Sequence, residues 1–177
     1  MTTRFTTLTM VAVLMLGGIA LAAAQQKPPL SPPAQASATI GAATITIDYA
    51  RPSMRGRKIM GELVPYGKVW RTGANAATTL KTTAAIEIGG AVVPAGTYTL
   101  YTLPGEKAWK LIINKQTGQW GTQYDQAQDL ARVDLAVGAT SAPVEQFTIT
   151  LAGTGAAAGL LTMEWESTKL TIPFTVK

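Results

Sequence analysis

Alternation between apolar and polar residues, repeated in short stretches along the chain, is the feature that most constrains the fold. Residues 44–49 read TITIDY, so two isoleucines and a tyrosine alternate with threonines and an aspartate. A period of two places the two sets on opposite faces of a β-strand, which predicts a strand with one buried face. Comparable stretches, bounded by turn residues, occur at 85–88, 91–93, 97–103, 108–114, 132–137, 144–152, 157–165 and 169–176.

The residues between these stretches indicate tight antiparallel connections. Gly89 and Gly90 can adopt the positive φ angles of a two-residue hairpin, which joins 85–88 to 91–93. The turn sequences PAG and PGEK then predict that the next two stretches continue a four-stranded meander. Residues 166–168 predict the last turn, and residues 123–130 predict a short helix.

About nine short strands with no long helix between them predict an all-β fold, an antiparallel β-sandwich or a jelly-roll-like barrel. Residues 50–77 do not follow the strand pattern, because Pro and Gly recur too often for a regular element. Apolar residues such as Ile59, Val64 and Trp70 are too frequent there for disorder. We therefore expect one long, ordered and packed loop.

The beginning of the chain has the composition of a secretory signal peptide over residues 1–24. Arg4 is followed by a short apolar run and then by small residues up to Ala24. Cleavage before Gln25 would leave no membrane span and would export the protein to the periplasm or outside the cell. Residues 25–38 are rich in Pro, Gln, Ser and Ala and predict a tether, and residues 39–177 predict a single β domain.

Positive charge is concentrated in the predicted loop. Without Arg4, the mature chain has fourteen Lys and Arg against ten Asp and Glu, a net charge of +4. The loop 50–77 has six of these basic residues and one acidic residue, a net charge of +5, so the rest of the mature chain sums to −1. A concentrated positive field attracts an anionic small molecule or an acidic envelope polymer. Arginines in a long loop also often bond backbone carbonyls, which would be a purely structural role.

The absence of His and Cys from the sequence limits the chemistry that the protein can perform. It excludes a serine–histidine triad, a cysteine nucleophile and the usual nitrogen or sulfur ligands of zinc, copper or haem. No cofactor and no metal are predicted, and a non-enzymatic function is favoured. The enzymatic alternative is a hydrolase or lyase that uses paired carboxylates. Its candidates are Asp48, Glu62, Glu164 and Glu166.

Several motifs resemble those of a family of small exported bacterial proteins that is known only as a domain of unknown function. They are RPSxxGR at 51–57, VPYGxVWRTGAN at 64–75, VPAGTY at 93–98 and NKxTGQWG at 114–121. The resemblance extends over nearly the whole mature chain. It implies an exported, β-rich domain with no established activity, cofactor or substrate.

The favoured hypothesis is an exported binding module whose ligand is held by the loop 57–75. Arg57 and Arg71 would hold an anionic group, Tyr66 and Asn75 would form hydrogen bonds, and Trp70 would supply an apolar wall. The alternatives are the carboxylate-dependent hydrolase or lyase, acting on envelope carbohydrate or peptide, and a structural envelope protein. Nucleic acid is not predicted as a ligand, because the basic residues do not interleave with a run of aromatic residues.

Overall fold

The computed structural model describes residues 29–177, and the signal peptide predicted at 1–24 lies outside them. The described chain forms nine antiparallel strands in one open sheet, in the order β1-β2-β3-β6-β7-β8-β9-β4-β5. The strands are β1 Pro33–Ile40, β2 Ala43–Ala50, β3 Thr78–Thr82, β4 Ile86–Ile88, β5 Ala91–Val93, β6 Gly96–Leu103, β7 Trp109–Asn114, β8 Asp129–Gly153 and β9 Ala158–Val176. The prediction of an all-β antiparallel fold is confirmed.

The sheet folds over itself into two layers, and β8 passes from one layer to the other. Its first residues pair with β7, whereas residues from Ala136 onward pair with β9. Side chains from both layers meet between them. The Tyr49 ring of β2 packs edge-on against Phe147 of β8, with ring centroids 5.8 Å apart. The Tyr49 hydroxyl also accepts a hydrogen bond from the Ile149 amide at 2.9 Å, which joins the layers.

The core contains the residues that the period-two pattern places inward. Ile45, Ile47 and Tyr49 are buried on β2, and Trp109 is buried on β7. Burial of aliphatic and aromatic side chains supplies most of the stabilisation in a domain without disulfides.

Four features differ from the prediction. The two strands predicted at 132–137 and 144–152 are one strand, β8. β6 pairs with β3 and not with β5, so the predicted four-stranded meander is wrong; the turn at 94–96 instead leads the chain from one layer to the other. β9 continues through the predicted turn at 166–168, where Glu166 has a φ of 55° and the register with β8 shifts. The predicted short helix is a single 3₁₀ turn, Gln126–Gln128.

The predicted tether also begins to fold earlier than expected. Residues 33–38 belong to β1, which pairs along its whole length with β2. β1 lies at the edge of the sheet, and Pro33 is its first residue, a place where a strand tolerates the missing amide hydrogen. The proline-rich composition therefore marks the start of an edge strand.

The long loop predicted at 50–77 is present and packed, and it ends at β3, a strand that the sequence pattern did not predict. Ile59, Met60 and Val64 are buried within it. Backbone hydrogen bonds attach the loop to β8, from the Met54 amide to the Glu145 carbonyl at 2.8 Å and from the Phe147 amide to the Pro52 carbonyl at 2.9 Å. No helix in the described residues is both long and apolar enough to cross a membrane.

Candidate functional site

The loop 51–77 forms one side of a cleft of about 450 Å³. The remaining lining residues are Tyr101 of β6, Trp165 of β9, which stacks on Trp70 of the loop, and Leu30, Ser31, Gly121, Thr122 and Tyr124. Three arginines, Arg55, Arg57 and Arg71, line the cleft, and none of its lining residues is acidic. The cleft is therefore a cationic site with aromatic walls.

Trp70 forms part of the wall because it is held by a buried aromatic cluster. Its ring stacks on Trp165 with centroids 5.7 Å apart and an interplanar angle of 19°. It also meets Phe147 edge-on at 5.0 Å. The Trp70 backbone forms a two-way bridge with Thr102 of β6, with N–O distances of 2.8 and 2.9 Å. Trp70 is therefore rigid, half-buried and suited to contact the apolar part of a ligand.

Arg71 differs from the other arginines of the cleft in which of its donors are used: Arg55 and Arg57 each donate from a terminal nitrogen, whereas Arg71 donates only from Nε. Its Nε donates to the Gly73 carbonyl at 3.3 Å. Its two terminal nitrogens have no hydrogen-bond partner among residues 29–177. Since guanidinium has five N–H donors, Arg71 can still bind an anion through its outer fork.

Gly121 makes room for the Arg71 side chain. A Cβ atom at this position would lie 2.7 Å from Arg71 Cδ and 2.8 Å from the Asn75 carbonyl oxygen. The Gly121 amide donates to that same carbonyl at 3.0 Å, so the two segments are in direct contact. Any larger residue would move the arginine, the backbone or both.

Arg57 and Arg55 use part of their capacity to hold the chain. Arg57 donates from Nε to the Met54 carbonyl at 2.9 Å and from Nη2 to the Ser53 carbonyl at 2.7 Å. Arg55 donates from Nη2 to the Leu30 carbonyl at 2.7 Å. Both therefore have a structural role at the rim, and both add positive charge to the cleft.

A network of polar groups supports Tyr101 in the cleft lining. Gln119 donates from Nε2 to the Tyr101 hydroxyl at 3.0 Å, and that hydroxyl donates to the Gln123 carbonyl at 2.9 Å. Burial raises the pKa of Tyr101, so its hydroxyl stays protonated. The Tyr124 ring meets Tyr101 edge-on with centroids 4.9 Å apart.

Hydrogen bonds to a carboxylate and a guanidinium hold the Tyr124 side chain in place. Its hydroxyl donates to Asp129 at 2.6 Å and accepts from Arg132. Burial, followed by the hydrogen bond to Asp129, raises the pKa of Tyr124 to about 12. The Tyr124 hydroxyl is therefore protonated at neutral pH and acts in the cleft lining as a neutral hydrogen-bonding group, not as a base.

This raised pKa predicts a loss of stability at high pH. An unfolded tyrosine loses its proton near pH 10, whereas folded Tyr124 keeps it to about 12. The contribution is fully present below about pH 10 and is lost as the pH rises through the folded pKa. Burial also raises the pKa of Tyr101, so absorbance titration near 295 nm should show late-titrating tyrosines, and one of them should be absent from Tyr124→Phe. An unchanged titration curve in that variant would contradict the assignment.

The structure brings together three of the five predicted site residues. Arg57, Trp70 and Arg71 line the cleft, but Tyr66 and Asn75 do not. Tyr66 is exposed, with its ring against Gly61. Asn75 is an exposed turn residue with a φ of 61°, a conformation that asparagine tolerates better than most residues.

Sequence reasoning did not place Tyr101, Gly121, Tyr124 or Trp165 in the cleft. A signal for Tyr101 existed, because strand β6 reads GTYTLYTL with large residues at adjacent positions. Adjacent large residues indicate that both faces of a strand are covered. The face that bears Tyr101 is the one covered by the cleft segments.

The four candidate catalytic carboxylates do not line the cleft and contact separate partners. Asp48 bonds Gln35 and Lys81, and these contacts lower its pKa. Glu62 pairs with Lys58 at 3.7 Å and Glu164 with Lys169 at 3.1 Å. Glu166 accepts from the amides of Ile59 and Met60 at 3.1 and 3.3 Å, so it anchors the loop. In the described part of the chain, no three acidic residues converge into a metal site.

Comparison with known proteins assigns the chain to a family but not to a function. The family model described as "Protein of unknown function (DUF2911)" matches residues 31–174. No curated protein and no solved structure matches the chain.

Proposed function

The chain belongs to the DUF2911 family, and because that description assigns no function, we propose from the cleft itself that the protein is an exported module that binds an anionic small molecule. Arg71 is the principal contact of the anionic group. Arg55 and Arg57 at the rim raise the local positive potential, and Trp70 contacts the body of the ligand. The predicted signal peptide supports export.

The observation that carries this proposal is the charge of the cleft lining. Three arginines line one cavity together with no aspartate or glutamate, so nothing in the lining neutralises them. Low-dielectric aromatic walls beside fixed positive charge strengthen the attraction for an anion. Arg71 supports the proposal most directly because its outer donors are unused.

The size and lining of the cleft suit a small organic anion. Small-molecule pockets measure roughly 300–1,000 Å³ and combine apolar walls with a few polar groups. This cleft, at about 450 Å³, lies within that range. Its exposed leucines, Leu30 and Leu63, would be covered by the apolar part of a ligand, which explains large apolar side chains at an open surface.

Arg71→Ala should weaken anion binding about 10- to 100-fold, because a hydrogen bond to a charged group contributes about 1.5–3 kcal/mol. The measurement is a thermal-shift screen of the purified protein against dicarboxylates, organic phosphates, acidic sugars and peptidoglycan fragments. A ligand that binds the native state raises its melting temperature. Hits should lose most of this shift in the variant.

Lys68→Ala is the matched control, since it removes one positive charge from the same loop at a residue outside the cleft lining. Its thermal shifts should stay close to those of the parent. Equal losses in both variants would indicate a diffuse charge effect. Parent-like binding by Arg71→Ala would refute the proposed site.

The alternatives have less support from the geometry. A carboxylate-dependent hydrolase or lyase needs acids beside its substrate, and no acid lines the cleft. A structural envelope protein needs an exposed apolar contact surface, and two of the exposed large apolar residues lie on the cleft itself.

A further inference from the structure

The turn that follows Arg71 has a feature that charge alone does not explain. Thr72, Gly73 and Ala74 are buried, and Gly73 and Ala74 line the cleft beside Arg71. If the proposed function holds, this turn lies against the anionic group of the ligand.

The carbonyl groups of Thr72 and Gly73 in this turn are occupied. The Thr72 carbonyl accepts from Thr78 Oγ1 at 2.8 Å. The Gly73 carbonyl accepts from Arg71 Nε, and the Asn75 carbonyl accepts from the Gly121 amide. The Thr72 and Gly73 carbonyls are thus used within the protein.

The amide groups of the same turn are not occupied. Among residues 29–177, no backbone carbonyl accepts a hydrogen bond from the amides of Thr72, Gly73 or Ala74. More than nine in ten buried backbone amides are paired, and an unpaired one costs about 1–3 kcal/mol. Gly73 and Ala74 line the cleft, so their two unpaired amides indicate an acceptor from outside the chain.

The backbone of the turn is also strained. Thr72 has a φ of 53° although it is β-branched and fully buried. Positive φ is a marked outlier for such a residue, and strain of this kind persists where the surrounding structure enforces it. Asn75 also has a positive φ, 61°, after Ala74, which is not in that region. Gly73, between Thr72 and Asn75, also has a positive φ, 153°, so three of the four residues 72–75 have a backbone conformation that L-residues rarely adopt.

We propose that the turn 71–74 is a binding site, called the seat below, for a compact oxyanion, either a carboxylate or a phosphate. The two terminal nitrogens of Arg71 bind it from one side, and the amides of Gly73 and Ala74 bind it from the other. Gly121 is a positioning residue, since only its missing side chain lets Arg71 lie over the turn. This inference rests on the proposed function and adds the chemical class of the bound group.

The test is a ¹⁵N–¹H NMR titration of the purified protein with inorganic phosphate and, separately, with acetate. Amide protons that gain an oxyanion acceptor move downfield. The Gly73 and Ala74 resonances should therefore shift saturably, with affinity weakened at least tenfold in Arg71→Ala. Arg71→Lys should bind weakly too, because lysine keeps the charge but lacks the planar fork. The tighter of the two probes identifies phosphate or carboxylate as the preferred group.

The outcomes separate this inference from the proposed function. If the probes bind in an Arg71-dependent way but the Gly73 and Ala74 amides do not respond, the seat is wrong and the anion-binding cleft stands. If neither probe causes a saturable change at any cleft residue, the seat is refuted; organic anions that still produce Arg71-dependent thermal shifts would leave the proposed function intact. Gly121→Ala should weaken binding of the preferred probe at least tenfold. Parent-like binding by that variant would exclude its positioning role.

Discussion

Trp165→Ala is expected to lower the free energy of unfolding by about 3–5 kcal/mol, the usual cost of removing a buried tryptophan. Trp165 is one of the largest fully buried side chains. It contacts two other aromatic rings, Trp70 at 5.7 Å and Phe147 at 5.9 Å. Its indole nitrogen also donates to the Glu145 carbonyl at 3.2 Å, a hydrogen bond that is lost in the variant, although the Met54 amide still donates to the same carbonyl. Urea denaturation followed by circular dichroism measures the change.

Trp120→Ala is the matched control, because Trp120 is 52% exposed and its removal leaves little cavity. Its effect should be below about 1 kcal/mol, as for surface substitutions in general. Similar losses in both variants would show that burial in this cluster is not the cause. Trp165→Ala should also weaken any ligand that contacts Trp70, because the stacked ring behind Trp70 is gone.

Glu166→Ala is expected to destabilise the protein by about 2–4 kcal/mol and to release the middle of the loop. Its carboxylate accepts from the amides of Ile59 and Met60, which are both buried residues. Removal leaves two amides unpaired, each at a cost of about 1–3 kcal/mol. Hydrogen exchange measures the local part of the effect, since the Ile59 and Met60 amides should lose protection first.

Glu164→Ala is the control on the same strand. Glu164 forms a partly exposed ion pair with Lys169, a type of contact that contributes about 0–1 kcal/mol. Glu166→Gln should lie between the parent and Glu166→Ala, since it keeps one acceptor oxygen. Unchanged exchange at Ile59 and Met60 in Glu166→Ala would mean that the loop is held by its apolar packing alone.

Strands rich in apolar residues were predictable from the sequence, whereas β3, which has one apolar residue, was missed. β3 reads TTLKT, and its buried positions are Thr78, Leu80 and Thr82. Two of the three inward residues are polar, so no apolar alternation marks this strand. They are buried because they lie between β2 and β6, where their hydroxyls bond backbone carbonyls.

The long strand β9 also shows that a local sequence pattern does not predict every strand correctly. The sequence separates 157–165 from 169–176 by a turn, because Glu, Ser and Thr interrupt the apolar pattern. In the structure β9 runs through this point with a bulge at Glu166. Glu166 accepts a hydrogen bond from the Ile59 amide of the loop 51–77, more than a hundred positions away in sequence. No local sequence pattern can predict such a contact.

Some residues of the candidate site could also be predicted from the sequence, and others could not. Arg57, Trp70 and Arg71 could be predicted, since charge and aromatic content are concentrated in one segment of the sequence. The other lining residues could not be, because Tyr101, Gly121 and Tyr124 belong to segments that approach the loop only after β6, β7 and β3 have paired.

The sequence by itself determined the all-β class, the strands with one buried face and the position of the packed loop. Each of these depends on local chemistry, namely the period of apolar residues and the backbone preferences of Gly and Pro. Only the tertiary structure decided the strand order, the anchoring of the loop by Glu166 and the meeting of Arg71 with Gly121. These contacts join residues far apart in the chain, so they depend on which surfaces are buried together.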